Sequence, residues 1–200
     1  MIKTIIFDIG NVLADFTWRE FFDGFKLEPD LFNRLCEATV LSDDWKEVDR
    51  GVFSTEEIIK RFVDNDPALE ETIFRVFENV RGMVSRNEYA IPWIQELKQK
   101  GYQVLVLSNF SEKVFKDCSD ALDFLQYVDG GILSYREKVI KPEPAIYERL
   151  IEKYGLDPQQ CVFLDDLEKN LDAAEAFGIH TICFQSKKQA DSELYKLGVE

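Results

Sequence analysis

The stretch Met1-Ile2-Lys3-Thr4-Ile5-Ile6-Phe7-Asp8-Ile9-Gly10-Asn11-Val12-Leu13 decides the fold. Thr4 to Phe7 is an unbroken run of large or β-branched residues, the pattern of a strand buried on both faces of a parallel sheet rather than of a half-wet antiparallel one. Asp8 stands at the carboxyl end of that strand, and a Gly-Asn turn follows at once. Ligands of open α/β sheets bind outside the carboxyl ends of the strands, so an acid there is placed for chemistry. An acid that merely begins a loop reads the same in this stretch alone, and the rest of the chain has to decide.

A chain of 200 residues suits one large domain, or a core with a smaller one inserted. Hydrophobic residues at 46% and aromatics at 13% are enough for a substantial core and exclude a disordered or fibrous chain. Lys and Arg number 24 against 38 Asp and Glu, giving a formal charge of -14 that repels nucleic acid and anionic membranes, so neither is an expected partner. Cys36, Cys118, Cys161 and Cys183 lie far apart with no CxxC, and His180 is the only histidine, which disfavours a zinc site or a disulfide framework. His180 itself begins a strand-like run, where a structural role is expected. The chain opens on a strand pattern rather than a basic-apolar leader, and no apolar run approaches ~18 residues, so a soluble cytoplasmic protein is expected. Oligomeric state is not written in any of these features.

Beyond Leu13 the periodicity becomes helical. No good strand is read from Asp15 to about Arg81, only helix-like segments broken near Pro29, Asp43-Asp44, Gly51 and Asp66-Pro67. Ser54-Thr55-Glu56-Glu57 ahead of Ile58-Ile59 and Phe62-Val63 is a capped helix start, and Asp66-Pro67 opens a helix through Leu69, Ile73, Val76 and Phe77. After Met83 strands and helices alternate: a helix from Ile91 to Lys100, a strand Gln103–Leu107, a helix near Ser111–Cys118, a short strand within 128–133, a helix Pro144–Tyr154, a strand Cys161–Leu164, a helix Lys169–Phe177 and a strand His180–Phe184. Such alternation implies a parallel sheet with right-handed crossovers, and the helical segment is then an insertion after the first strand.

Three of these strands end in polar groups, namely Asp8, Ser108-Asn109 and Asp165-Asp166. In a parallel sheet these ends share one edge, so residues far apart in sequence meet in one site. Close carboxylates repel unless a cation or a proton intervenes, and hard cations such as Mg²⁺ take carboxylate and carbonyl oxygens. Val139-Ile140-Lys141-Pro142-Glu143-Pro144 adds a lysine on a proline-stiffened approach to a helix, although a solvated loop lysine is the simpler reading of that segment alone. A cation, a lysine and a hydroxyl-amide pair around a carboxylate nucleophile suggest phosphoryl transfer, where catalysis is mainly positioning and charge stabilisation.

Asp8, Ser108 with Asn109, Lys141 and Asp165-Asp166, in that order, resemble the four motifs of the haloacid dehalogenase superfamily over nearly the whole chain. Phe7-Asp8-Ile9-Gly10-Asn11-Val12 and Phe163-Leu164-Asp165-Asp166-Leu167-Glu168-Lys169-Asn170 look like the branch that includes bacterial sugar-1-phosphate (α-glucose-1-phosphate) phosphatases. The resemblance implies an α/β Rossmann-like parallel-sheet core of residues 1–14 and 86–200, with residues 15–85 as a helical cap that selects substrate. It implies a Mg²⁺-dependent phosphatase of small phosphate esters, sugar phosphates first, in which Asp8 attacks phosphorus and forms an aspartyl-phosphate. Mg²⁺ would be held by Asp8, the Gly10 carbonyl and Asp166, with Asp165 acting through water. Ser108 and the backbone at Asn109 would hold phosphoryl oxygens, and Lys141 would pair with the same charge and with Asp8.

The chain departs from the family at Gly10, where its phosphatases usually carry a second Asp as acid and base. The carbonyl ligand survives, but the lost acid-base group is typically worth ~10² to 10⁴ in rate. Asn11, water, or an acid of the insertion such as Asp44 or Glu47 are the substitutes in sight, and the sugar-phosphatase branch itself has Gly here. Gly10 also admits a 2-haloacid dehalogenase, against which the acidic pair stands, because it would oppose a carboxylate substrate. A weak or inactive binding protein is the third reading, suggested by Gly10 and by Phe16, Trp18, Phe21, Phe22 and Phe25, whose near-helical spacing is more simply core than a ligand platform.

Overall fold

A computed structural model describes residues 1–200. Its strands are β1 (Thr4–Phe7), β2 (Ala14–Phe16), β3 (Val84–Arg86), β4 (Gln103–Ser108), β5 (Gly130–Leu133), β6 (Cys161–Asp165) and β7 (His180–Cys183). Five of them form one sheet in the order β5-β4-β1-β6-β7, every neighbouring pair parallel. β1 is central because both of its faces and both of its edges are covered. Ile5, Ile6 and Phe7 are fully buried, and β1 pairs with β4 and with β6. Ile6 shares one face with Leu105, Phe163, Ile146, Tyr147 and Leu171. Ile5 and Phe7 share the other with Val104, Val162, Trp93 and Leu194, and the Phe7 and Trp93 rings lie 4.7 Å apart. Each such apolar side chain contributes roughly 1.5–3 kcal/mol when withdrawn from water. The chain returns from β5 to the far side of β1, so the strand order switches between β1 and β6, where an α/β sheet opens a crevice.

The helices that cover the sheet are α6 (Ala90–Gln99), α7 (Glu112–Asp117), α8 (Ser134–Glu137), α9 (Pro144–Tyr154), α10 (Glu168–Glu175) and α11 (Lys187–Lys196), following α1 to α5 of the insertion. α9 begins with Pro144 at its first position and ends at Gly155 in the left-handed region, φ 59°. α11 has no counterpart in the sequence reading: it buries only Ala190 and Leu194 along a polar sequence, and Ser186 caps it by accepting from the Gln189 amide.

Between β2 and β3 lie α1 (Trp18–Asp23), α2 (Pro29–Ala38), α3 (Trp45–Arg50), α4 (Thr55–Asn65) and α5 (Glu70–Phe77). The capping box at Ser54 forms as expected, with the Glu57 amide donating to Ser54 and the Ser54 amide to Glu57. Asp66-Pro67 opens a short 3-10 turn that leads into α5, and Leu69, Ile73, Val76 and Phe77 are all buried. The expectation of no strand from Asp15 onward needs correction: β2 and β3 pair antiparallel, Ala14 opposite Arg86 and Phe16 opposite Val84. The pair is too short to show alternation, so its strand character comes from its partner rather than from its own pattern. Trp18, Phe21, Phe22 and Phe25 pack with one another and with Phe77 as core. No helix is long and apolar enough to cross a membrane.

Candidate active site

The register of the sheet brings the strand ends together. Phe7 pairs with Leu164, and the Asp8 amide donates to the Leu164 carbonyl at 2.8 Å, which sets Asp8 beside Asp165 at the crevice. Lys141 Nζ joins them, 3.0 Å from Asp8 Oδ1 and 2.6 Å from Asp165 Oδ2. All three are buried, Asp165 completely. Asp165 is fully engaged: its Oδ1 also accepts from the Leu167 amide, and Asn170 Nδ2 reaches both of its oxygens at 3.0 Å. The lysine therefore stands on a fixed anionic floor. Burial opposes its charge, but Asp8 and Asp165 outweigh burial and hold it above its ordinary value. Burial raises the Asp8 carboxyl and Asp165 adds to the rise, while Lys141 and the Ser108 hydroxyl pull it down.

Asn109 does something the sequence did not disclose. Its Oδ1 accepts from the Lys141 amide at 2.7 Å and its Nδ2 donates to the Lys141 carbonyl at 3.0 Å, a reciprocal pair that fixes the lysine's backbone. Asp8, Gly10, Asn109, Lys141 and Asp166 line one cavity of about 300 Å³, while Ser108 and Asp165 are buried behind them. Of the aromatic set at the start of the insertion, Phe16 alone reaches this cavity, beside Trp45. His180 is elsewhere, at the start of β7, with its ring against the Gln159 carbonyl.

Oxygens of Asp8, Asp165 and Asp166 lie within 4.8 Å of one another, close enough to serve one cation. Asp166 Oδ2 is held by Asn11 Nδ2 at 2.9 Å, which orients the carboxylate without using its other oxygen. Beside the cluster, Asn170 Oδ1 is buried with no hydrogen-bond partner. A hydrated divalent cation answers both features, since it neutralises clustered carboxylates and its waters supply donors. These residues therefore fit such an ion. Asp8 and Asp166 are the freer ligands, because Asp165 already spends both oxygens on protein donors.

The substitutes named from sequence for the missing acid are occupied. Asn11 holds Asp166, Asp44 accepts from Arg61 and Asn65 at 3.0 Å, and Glu47 accepts from Arg50 at 3.4 Å. The carboxylate that α3 turns to the cavity is Asp49, which sequence reasoning missed. It is half-buried, and no hydrogen bond or ion pair engages its side chain. Burial, with repulsion from Asp8 and some relief from Lys141, pushes its carboxyl up to about 7.

A sequence model described as haloacid dehalogenase-like hydrolase matches residues 2–178. The D-ribitol-5-phosphate phosphatase of Bacteroides thetaiotaomicron is 27% identical over 207 residues, covering 96% of this chain and 95% of that protein. The sesquiterpene phosphatase astK of Aspergillus oryzae is 25% identical over 178 residues, covering 88% and 87%. Other curated relatives are longer, and the chain spans 10% and 24% of the length of two of them. Among solved structures, a haloacid dehalogenase family enzyme from Bacteroides thetaiotaomicron, crystallised with magnesium and inorganic phosphate, superposes with a TM-score of 0.73 at 24% identity, covering 94% of this chain and 96% of that one. That likeness carries the fold.

Proposed function

The chain belongs to the haloacid dehalogenase-like hydrolase family, and on that premise we propose that it is a Mg²⁺-dependent phosphatase of small phosphorylated metabolites, sugar phosphates first. The observation that carries this reading is Lys141 Nζ wedged between Asp8 and Asp165, with Asp166 in the same cluster. That arrangement sets a buried cation against a carboxylate nucleophile at the wall of a cavity with room for a phosphoryl group.

Asp8 attacks phosphorus and becomes the aspartyl-phosphate; water then displaces phosphate and frees it. Lys141 balances the charge that gathers on the phosphoryl oxygens, and Asn109 holds it in place through its backbone. Ser108 and the Asn109 backbone take phosphoryl oxygens. Mg²⁺, held by Asp8, the Gly10 carbonyl and Asp166 with Asp165 alongside, would screen the approach of an anionic nucleophile to an anionic ester. Residues 15–85 act as the cap over a core of 1–14 and 86–200, and the β2–β3 pair, which straddles both boundaries, supports that division. A sugar-sized leaving group suits a wall that mixes Phe16 and Trp45 with Asp15, Lys46 and Lys169, and the ribitol-phosphate relative supports the same class.

The test is hydrolysis of p-nitrophenyl phosphate and a panel of sugar phosphates with and without Mg²⁺, which should proceed only with the metal and vanish in Asp8→Asn. An inert protein across the panel would overturn the reading in favour of a binding role. Halide release from 2-haloacids in a chelator would replace it with a dehalogenase.

A further inference from the structure

Gly10 offers the leaving group no proton donor, so another group of the cavity must supply the proton. Its carboxylates are Asp8, Asp15, Asp49 and Asp166. Asp8 is the nucleophile of the reading above and Asp166 belongs to the cation cluster. Asp15 is exposed and accepts from Asn87 Nδ2 at 3.2 Å. Asp49 remains, unpaired and turned to the cavity from α3.

The backbone beneath Asp49 is fixed to the very segment that carries Lys141. The Asp49 carbonyl accepts from Ser134 Oγ at 2.6 Å. Arg50 grips Glu143 with two hydrogen bonds, 2.9 and 2.7 Å. Gly51, with φ at +67°, lies so close to Tyr135 that an added Cβ would come within 2.8 Å of the Tyr135 Cβ, and its carbonyl accepts from Lys138 Nζ. Three successive residues of the helical segment are thus held against residues 134–143, so Asp49 is carried on a rigid support rather than a swinging one.

We propose that Asp49 is the general acid and general base of the hydrolysis, a role that rests on the phosphatase reading of this site. In the first step an Asp8 oxygen bonds to phosphorus, the ester P–O bond breaks with its electron pair on the leaving oxygen, and the Asp49 carboxyl proton passes to that oxygen to release the alcohol. In the second step water attacks phosphorus, its proton passes to the Asp49 carboxylate, the P–O bond to Asp8 breaks with its electrons returning to Asp8, and phosphate leaves. Asp49 ends protonated as it began. Its carboxyl, pushed up to about 7, is shared between the protonated and ionised forms at neutral pH, so both the acid and the base form are available. The charged groups around that cavity are Asp8, Asp166, Lys141 and Lys169 from the core, Asp15 from β2 and Lys46 from its own helix.

The experiment compares wild type with Asp49→Asn, at saturating Mg²⁺, on a sugar phosphate, whose alkoxide needs a proton, and on p-nitrophenyl phosphate, whose leaving group does not. Asp49→Asn is expected to lose kcat/KM on the sugar phosphate by ~10² or more, and by far less on the aryl ester. Gly10→Asp added to Asp49→Asn is expected to restore part of the sugar-phosphate rate, which a folding defect would not permit. Equal losses on both esters, or none, would overturn the role of Asp49 while leaving the phosphatase reading intact. A wild type inert to both overturns that reading and this inference with it.

Discussion

At position 10 an added Cβ would meet no heavy atom within 4 Å, so glycine is not demanded there by crowding. Nor is it demanded by backbone, because Gly10 is not among the residues with positive φ. Gly10→Asp should therefore fold, and with Asp49 already serving the leaving group it should raise kcat/KM on sugar phosphates by far less than the ~10² such an acid supplies where none is present, while changing the aryl ester little. A fall on both esters would mean that the new carboxylate competes for the metal. Asp49 permits a second test that does not depend on turnover. Its folded carboxyl titrates at about 7 against an ordinary value of 3.8, so the folded protein holds this proton more tightly than the unfolded chain does. The cost of ionising it is absent below pH ~4, grows across the window to ~7 and is complete above it. Asp49→Asn should accordingly raise Tm at pH 8 and leave it unchanged at pH 4, read by thermal melts in a chelator. Equal shifts at both pH values would assign the change to packing.

At the scale of elements, what was legible and what was not follows from where each element gets its stability. β1, β4 and β6 are buried on both faces, so each carries its identity in its own apolar run, and their polar ends announced Asp8, Ser108 and Asp165-Asp166. β2 and β3 have three residues each and owe their pairing to one another across the whole insertion, which no local window contains. Asp49 was hidden for the same reason. α3 and the turn before it carry Asp43, Asp44, Glu47 and Asp49 within one short stretch, and only docking onto Ser134, Tyr135 and Glu143 decides which of them meets the site. The Arg50–Glu143 pair is half-exposed, so its direct worth to stability is about 0.2–1 kcal/mol. Its worth to alignment is larger, since small misplacements of a catalytic group can cost ~10² in rate. Glu143→Gln should leave Tm nearly unchanged, yet lower kcat/KM on a sugar phosphate several-fold more than on p-nitrophenyl phosphate. Glu143→Asp should recover part of the loss. Equal losses on the two esters would show that the pair supports only the fold.

For the molecule as a whole, a formal charge of -14 and three carboxylates within 4.8 Å at its centre make the metal-free state electrostatically costly. Lys141 offsets part of this, but its single charge is shared between Asp8 and Asp165, and Asp166 has only the Asn11 amide. A ligand that binds the folded chain and not the unfolded one stabilises by RT ln(1 + [L]/Kd), about 2.7 kcal/mol at a hundred times Kd. For a chain of this size each kcal/mol moves Tm by roughly 2–4 °C. Mg²⁺ should therefore raise Tm by about 5–10 °C, with a dose dependence that saturates. General screening of surface acids would also raise Tm, but NaCl at matched ionic strength would then do the same and the effect would not saturate at low concentration. Asp166→Asn separates the two causes. It removes a cavity carboxylate while barely changing the net charge, so it should raise the metal-free Tm and abolish the saturable response to Mg²⁺. A variant that keeps the full response would place the ion elsewhere on this acidic surface.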